Sequence, residues 1–130
     1  MTQRYQAVVN VRRHSERLAA ASLAAARTEV ERLRAERDAL RDAPQETGKH
    51  SAAEAALAQL AQERAVQLRK VVEERLCGAE RVALDHEQEL LAAHQSLRLV
   101  ELLAERQQEA KRRDHAKRET RVLEEAARRR

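Results

Sequence analysis

Phenylalanine and tryptophan are absent, and tyrosine, methionine, cysteine and proline occur once each, as Tyr5, Met1, Cys77 and Pro44. Aromatic rings supply much of the mass of a compact core. Without them, a globular core would have to be assembled from Leu, Val and Ala. A lone cysteine excludes an intramolecular disulfide and fits a reducing compartment. With 2 Gly and 1 Pro in 130 residues, little interrupts a helix. No apolar run approaches the ~18–20 residues of a membrane span. Arg12, Arg13 and Arg17 ahead of the Ala-rich residues 18–26 imitate a signal peptide. That stretch is weakly hydrophobic, however, and the helical pattern runs straight through it. A soluble cytoplasmic protein is expected.

What is present is charge and alanine. Charged residues make up 37% of the chain, above the usual quarter. Ala, Glu, Lys, Leu and Arg dominate, the composition of a long helix or coiled coil. The 26 basic and 22 acidic residues leave a net charge of only +4. The two signs are interleaved along most of the chain, which marks a solvated helix face with i,i+4 pairs. Only the ends are biased. Residues 1–17 carry Arg4, Arg12, Arg13 and Arg17 against Glu16, and residues 111–130 carry nine basic groups against four acidic ones.

The breakers cluster at one place. Pro44 ends a first helix, because the residue before a proline is pushed out of the helical region. Gly48 lets the chain reverse. Ser51 stands three residues before Glu54, a capping box that opens a second helix. The sequence therefore predicts an all-α fold: one domain of two long helices in an antiparallel coiled-coil hairpin. Helix 1 is expected at about 2–43, the turn at 44–50 and helix 2 at about 51–127. Gly78, in mid-helix, is read as a close-packing position or a soft spot costing about 1 kcal/mol against Ala.

The apolar period can be counted. Helix 1 offers Val8, Val11, Ser15, Ala19, Ser22, Ala26, Val30, Leu33 and Arg37. Helix 2 offers Leu57, Leu60, Arg64, Leu68, Val71, Arg75, Ala79, Val82, His86, Leu90, Ala93 and Leu97. Both series step 3, 4, 4, an eleven-residue repeat that favours a straight or slightly right-handed pair. Leu18, Leu23, Leu40, Val72 and Leu76 flank that stripe, and a strict heptad fits less well before about Leu90. A turn centred near residue 47 makes antiparallel partners add to about 93 or 94, which sets Leu33 by Leu60 and Val11 by Val82. Helix 1 then covers helix 2 only as far as about Gln88–Ala92. Some forty residues would project alone, roughly 60 Å of helix. Their first part is apolar and calls for a partner; their last part, 111–130, is basic.

Sites of chemistry are not apparent. There is no glycine-rich phosphate loop, no GxSxG and no paired cysteine motif. His86 and His94 lie eight apart with Glu87 and Glu89 nearby, but solvent or seam positions account for them. Cys77 would be reactive only in an electropositive pocket, and its neighbours give no sign of one. Two packed helices form no deep pocket of the kind that houses catalysis. No enzyme activity, metal, cofactor or small-molecule substrate is expected. The basic C-terminal segment comes last, is interspersed with Asp114, Glu119, Glu124 and Glu125, and lacks base readers, which argues against nucleic-acid binding.

Two stretches resemble a known family. Val8-Val-Asn-Val-Arg-Arg-His-Ser-Glu-Arg-Leu-Ala, continuing through Ala24-Ala-Ala-Arg-Thr-Glu-Val-Glu-Arg-Leu, is similar to the opening of the type III export stalk proteins. These are flagellar FliJ and its virulence-system counterparts of the YscO type. The closing run Arg118-Glu-Thr-Arg-Val-Leu-Glu-Glu-Ala-Ala-Arg-Arg-Arg resembles that family's basic-acidic end. Leu123-Glu124-Glu125 stands there in place of a Leu-Asp-Glu-like triplet. The resemblance implies a cytoplasmic stalk that inserts its paired terminal ends into a hexameric export ATPase. It also implies contact with the cytoplasmic domain of the export gate and with secretion chaperones, the whole being peripherally associated with a membrane secretion apparatus. On that footing the partner-binding candidates are Arg4, Arg12, Arg13, Leu97, Val100, Leu103, Lys111, Arg112, Arg113, Arg118 and Arg121. The alternative is a generic coiled-coil adaptor or self-associating scaffold, in which residues 90–103 would pair with themselves as a tight dimer or tetramer.

Overall fold

The computed structural model describes residues 2–42 and 51–130. Among them the chain is all-α: α1 spans Thr2–Arg41 and α2 spans Ala52–Arg128. Both bounds fall within two residues of expectation. The expected turn at 44–50, with Pro44 and Gly48, lies outside the described residues. The start of α2 is the capping box: the Glu54 amide donates to Ser51 Oγ at 3.3 Å, and the Ser51 amide donates to Glu54 Oε2 at 3.2 Å. At the end of α1, the Asp42 amide closes a last turn on the Asp38 carbonyl at 3.0 Å.

The chain divides into two compact units, and the helices run antiparallel in each. In the unit Ala20–Glu89, Val30, Leu33, Leu76 and Ala83 form the core, with Ala26 and Ala79 packed against them. Leu33 is its most enclosed side chain, 2% exposed. Leu23 and Val72 are also buried. The covered positions on α1 are 23, 26, 30, 33, 37 and 40, and on α2 they are 69, 72, 76, 79, 83 and 86. Both series alternate steps of 3 and 4, which is heptad spacing. Ala26, Ala79 and Ala83 keep the seam thin. On its flank, Arg27 pairs with Glu87 at 3.1 Å and Arg34 with Glu80 at 3.3 Å. These pairs are one heptad apart on each helix, and the residue numbers of each pair add to 114. Near the end of α1, Arg69 Nη2 donates to the Leu40 carbonyl at 3.0 Å, satisfying a carbonyl that the helix end leaves without a partner.

In the unit Met1–Ala19 with Leu90–Arg130, the same alternation continues. Val9 is buried, and Tyr5, Glu16 and Ala19 are half-buried. Leu90, Ala93, Leu97, Val100, Ala104 and Gln107 are the half-buried heptad positions of α2. Arg13 pairs with Glu101 at 3.6 Å, again adding to 114, and Glu16 lies 3.1 Å from His94 Nδ1.

Four sequence expectations are therefore corrected. The seam is a heptad and not an eleven-residue repeat: Leu23, Leu40, Val72 and Leu76, read as flanks, occupy it. Val11, Leu57, Leu60, Leu68, Val71 and Val82, read as seam, are exposed. Partners add to about 110–114 and not to 93 or 94. Residues 52–64 of α2 are exposed throughout and have no counterpart on α1, so the partners of α1 lie further along α2. The long overhang shrinks accordingly, since α1 follows α2 past Ala92 to Gln107, which shares a shallow depression with Arg4, Tyr5 and Val8. Gly78, finally, is not a close-packing position: a Cβ built there meets nothing within 4 Å.

Candidate partner-binding surface

The candidate surface is the free end of α2. Heptad positions after Ala104 read Gln107, Lys111, Asp114, Arg118, Arg121, Glu125 and Arg128. The seam thus changes from apolar to charged, and every residue from 108 to 130 is exposed. This arm stays helical to Arg128 although no tertiary packing supports it. High helix propensity accounts for that, because Ala, Glu, Lys, Arg and Gln fill most of its positions.

The arm's electrostatics are lopsided. Residues 111–130 hold nine basic and four acidic groups, an excess of five positive charges. Arg113, Lys117 and Arg121 stand four apart in a row, an arrangement of like charges that costs helix stability rather than adding to it. Within 111–130, among the described residues, His115 Nδ1 lies 3.4 Å from Glu119 Oε1, an i,i+4 contact on the arm itself. Val122 and Leu123 are its large apolar side chains, 64% and 70% exposed.

The expected site residues separate into two groups. Lys111, Arg112, Arg113, Arg118 and Arg121 lie together on the arm, fully available. Arg4 lines the depression beside Tyr5 at the start of α1, and Arg12 is exposed. Arg13 is engaged with Glu101. Leu97 and Val100 are half-buried in the α1–α2 seam, so they are packing residues rather than a free apolar patch. Leu103 remains 47% exposed. Sequence reasoning missed Arg69, Glu16 and Glu101 as cross-helix partners. Their roles depend on register, which the apolar pattern had misplaced.

The histidines do not assemble. His86 Nδ1 lies 3.2 Å from Glu89 on its own helix, while His94 faces Glu16. Among the described residues no group of three or more His, Cys, Asp or Glu side chains could hold a metal ion. Cys77 is exposed. The larger open groove, about 410 Å³, runs along the Arg27–Glu87 and Arg34–Glu80 pairs and is lined by Val30, Ala83 and Leu84. Arg27 with Glu87 and Arg34 with Glu80 are paired across it, and Glu31 also lines it. Among the described residues no helix is long and apolar enough to cross a membrane. No protein-family model, curated protein or solved structure matches the chain.

Proposed function

We propose that this chain is a central stalk, or coupling protein, of a bacterial type III protein export apparatus. It would act in the cytoplasm at the membrane apparatus, as a mechanical part and not as an enzyme. The observation that carries this reading is the arm: a helix exposed at every residue from 108 to 130 extends beyond a closely paired antiparallel hairpin. A ring-shaped partner with an acidic lining suits such a rod, because an excess of positive charge steers it into a negative pore. The resemblance of Val8–Ala19 and of the closing run to FliJ and YscO-type stalks supports a hexameric export ATPase as that ring. Leu57, Leu60 and Leu68, which are 66%, 56% and 55% exposed, would then meet the export gate or secretion chaperones.

The test is turnover by a hexameric export ATPase, titrated with the full chain and with a chain ending at residue 110. The reading expects stimulation by the full chain and its loss on truncation. No change on adding the full chain would sink it. A generic adaptor or scaffold is the second reading, favoured by the same exposed leucines. It predicts capture of a helical partner through residues 57–68 with no effect on ATP turnover.

A further inference from the structure

We propose that two copies of this chain pair through their arms, antiparallel, about a twofold axis beside Lys111. The inference is independent of the export reading. It rests on the order of charges along α2. At four-residue spacing, Glu105 and Glu109 are followed by Arg113, Lys117 and Arg121. Acid then base along one rod is self-complementary when a second rod is reversed. With facing residue numbers adding to 222, Glu109 meets Arg113 of the second copy, and Glu105 meets its Lys117. Each pair occurs twice. Arg98, which lies 3.6 Å from Glu101 on its own helix, comes opposite Glu124.

The apolar residues follow the same symmetry. Leu99, 59% exposed, falls opposite Leu123, 70% exposed, and Leu102, 39% exposed, falls opposite Thr120. At 100° per residue these side chains and the paired charges share one face of α2. Lys111 stands on the other side, so the two copies do not oppose like charges at the axis. That face is also turned away from the seam positions Leu97, Val100 and Ala104, which pack toward α1. The second copy therefore docks without displacing α1. Glu105, Glu109, Arg113, Lys117 and Leu123 are all exposed, and none of the four charges has an ion-pair partner among the described residues. Such an isologous contact closes on itself as a dimer. Because it is mostly charged, it is weak and salt-sensitive, unlike the tight apolar self-pairing that residues 90–103 would give.

Sedimentation equilibrium of the full chain tests this. At low ionic strength the account expects a reversible dimer that dissociates in 1 M salt, where the screening length falls to about 3 Å. Arg113→Glu with Lys117→Glu makes positions 105, 109, 113 and 117 all acidic, and Glu105→Lys with Glu109→Arg makes them all basic. Losing four exposed ion pairs raises the dissociation constant roughly 30-fold, and each variant alone sediments as a monomer. Mixed, the two variants form a one-to-one dimer, which also shows that both are folded. A wild-type chain that stays monomeric at low salt would overturn the proposal. So would a dimer that persists in 1 M salt, or one that survives in both variants separately.

Discussion

Gly78 stands in mid-helix on α2 with open space where a side chain would be. Glycine loses more backbone freedom on folding than alanine and lends no side chain to the helix. Gly78→Ala is therefore expected to raise stability by about 1 kcal/mol, read as a shift in the urea midpoint without a change in slope. Leu33 is the opposite case. It is 2% exposed between Leu76 and the small Ala79 and Ala83, which cannot close the space it fills. Leu33→Ala should cost about 2–3 kcal/mol in the same measurement. Glu29 and Arg32 show what exposure does to an ion pair. The hydrogen bond from Arg32, at 2.7 Å, holds the Glu29 carboxyl below its ordinary value and raises the Arg32 guanidinium. A depressed carboxylate contributes above its unfolded pKa and loses that contribution as the pH falls through the folded one. Both side chains are exposed, so acid titration should show Glu29 shifted downward by NMR with hardly any loss of stability at that step.

At the scale of the element, what was legible in the sequence is what is local. The Ser51–Glu54 capping box needs only three residues of context, and its two reciprocal hydrogen bonds are present. Ser51→Ala should cost about 1 kcal/mol of helix 2 stability, seen as earlier exchange of the amides of its first turn. Helix number and type were legible for the same reason, because propensity is summed over long windows. The identity of the seam was not. Each helix carries two apolar stripes, and the Leu57–Leu60–Leu68–Val71 stripe looks as hydrophobic as the Val72–Leu76–Ala79–Ala83 stripe. Counting cannot choose between them. The choice belongs to cross-helix partners such as Arg27 with Glu87 and Arg34 with Glu80, which no local window contains. In a register adding to 93, Arg27 would face Val66 and Arg34 would face Gln59, and both ion pairs would be lost. The basic arm was legible as a charged end, but its length was not, because it depends on where α1 stops covering α2. Deleting residues 111–130 should leave the urea midpoint unchanged, since none of them is buried, while far-UV ellipticity falls in proportion to the helix removed.

For the whole molecule, register decides which surface is left for function. Adding to 114, the pairs Arg13–Glu101, Arg27–Glu87 and Arg34–Glu80 put Leu97 and Val100 into the seam and leave residues 108–130 free. Adding to 93, the free surface would begin near Ala92 and be apolar, and a hydrophobic partner would be the natural one. The coupling role and the charged dimer both depend on the first arrangement. The direct measurement is a pair of distances between spin labels, on chains with Cys77→Ser. Labels at Arg27→Cys and Glu87→Cys should lie within about 20 Å, since packed helix axes are 8–10 Å apart. Labels at Arg27→Cys and Val66→Cys should be separated by about 30 Å along the helix. The reverse result, with 27 and 66 close and 27 and 87 far apart, would contradict the account.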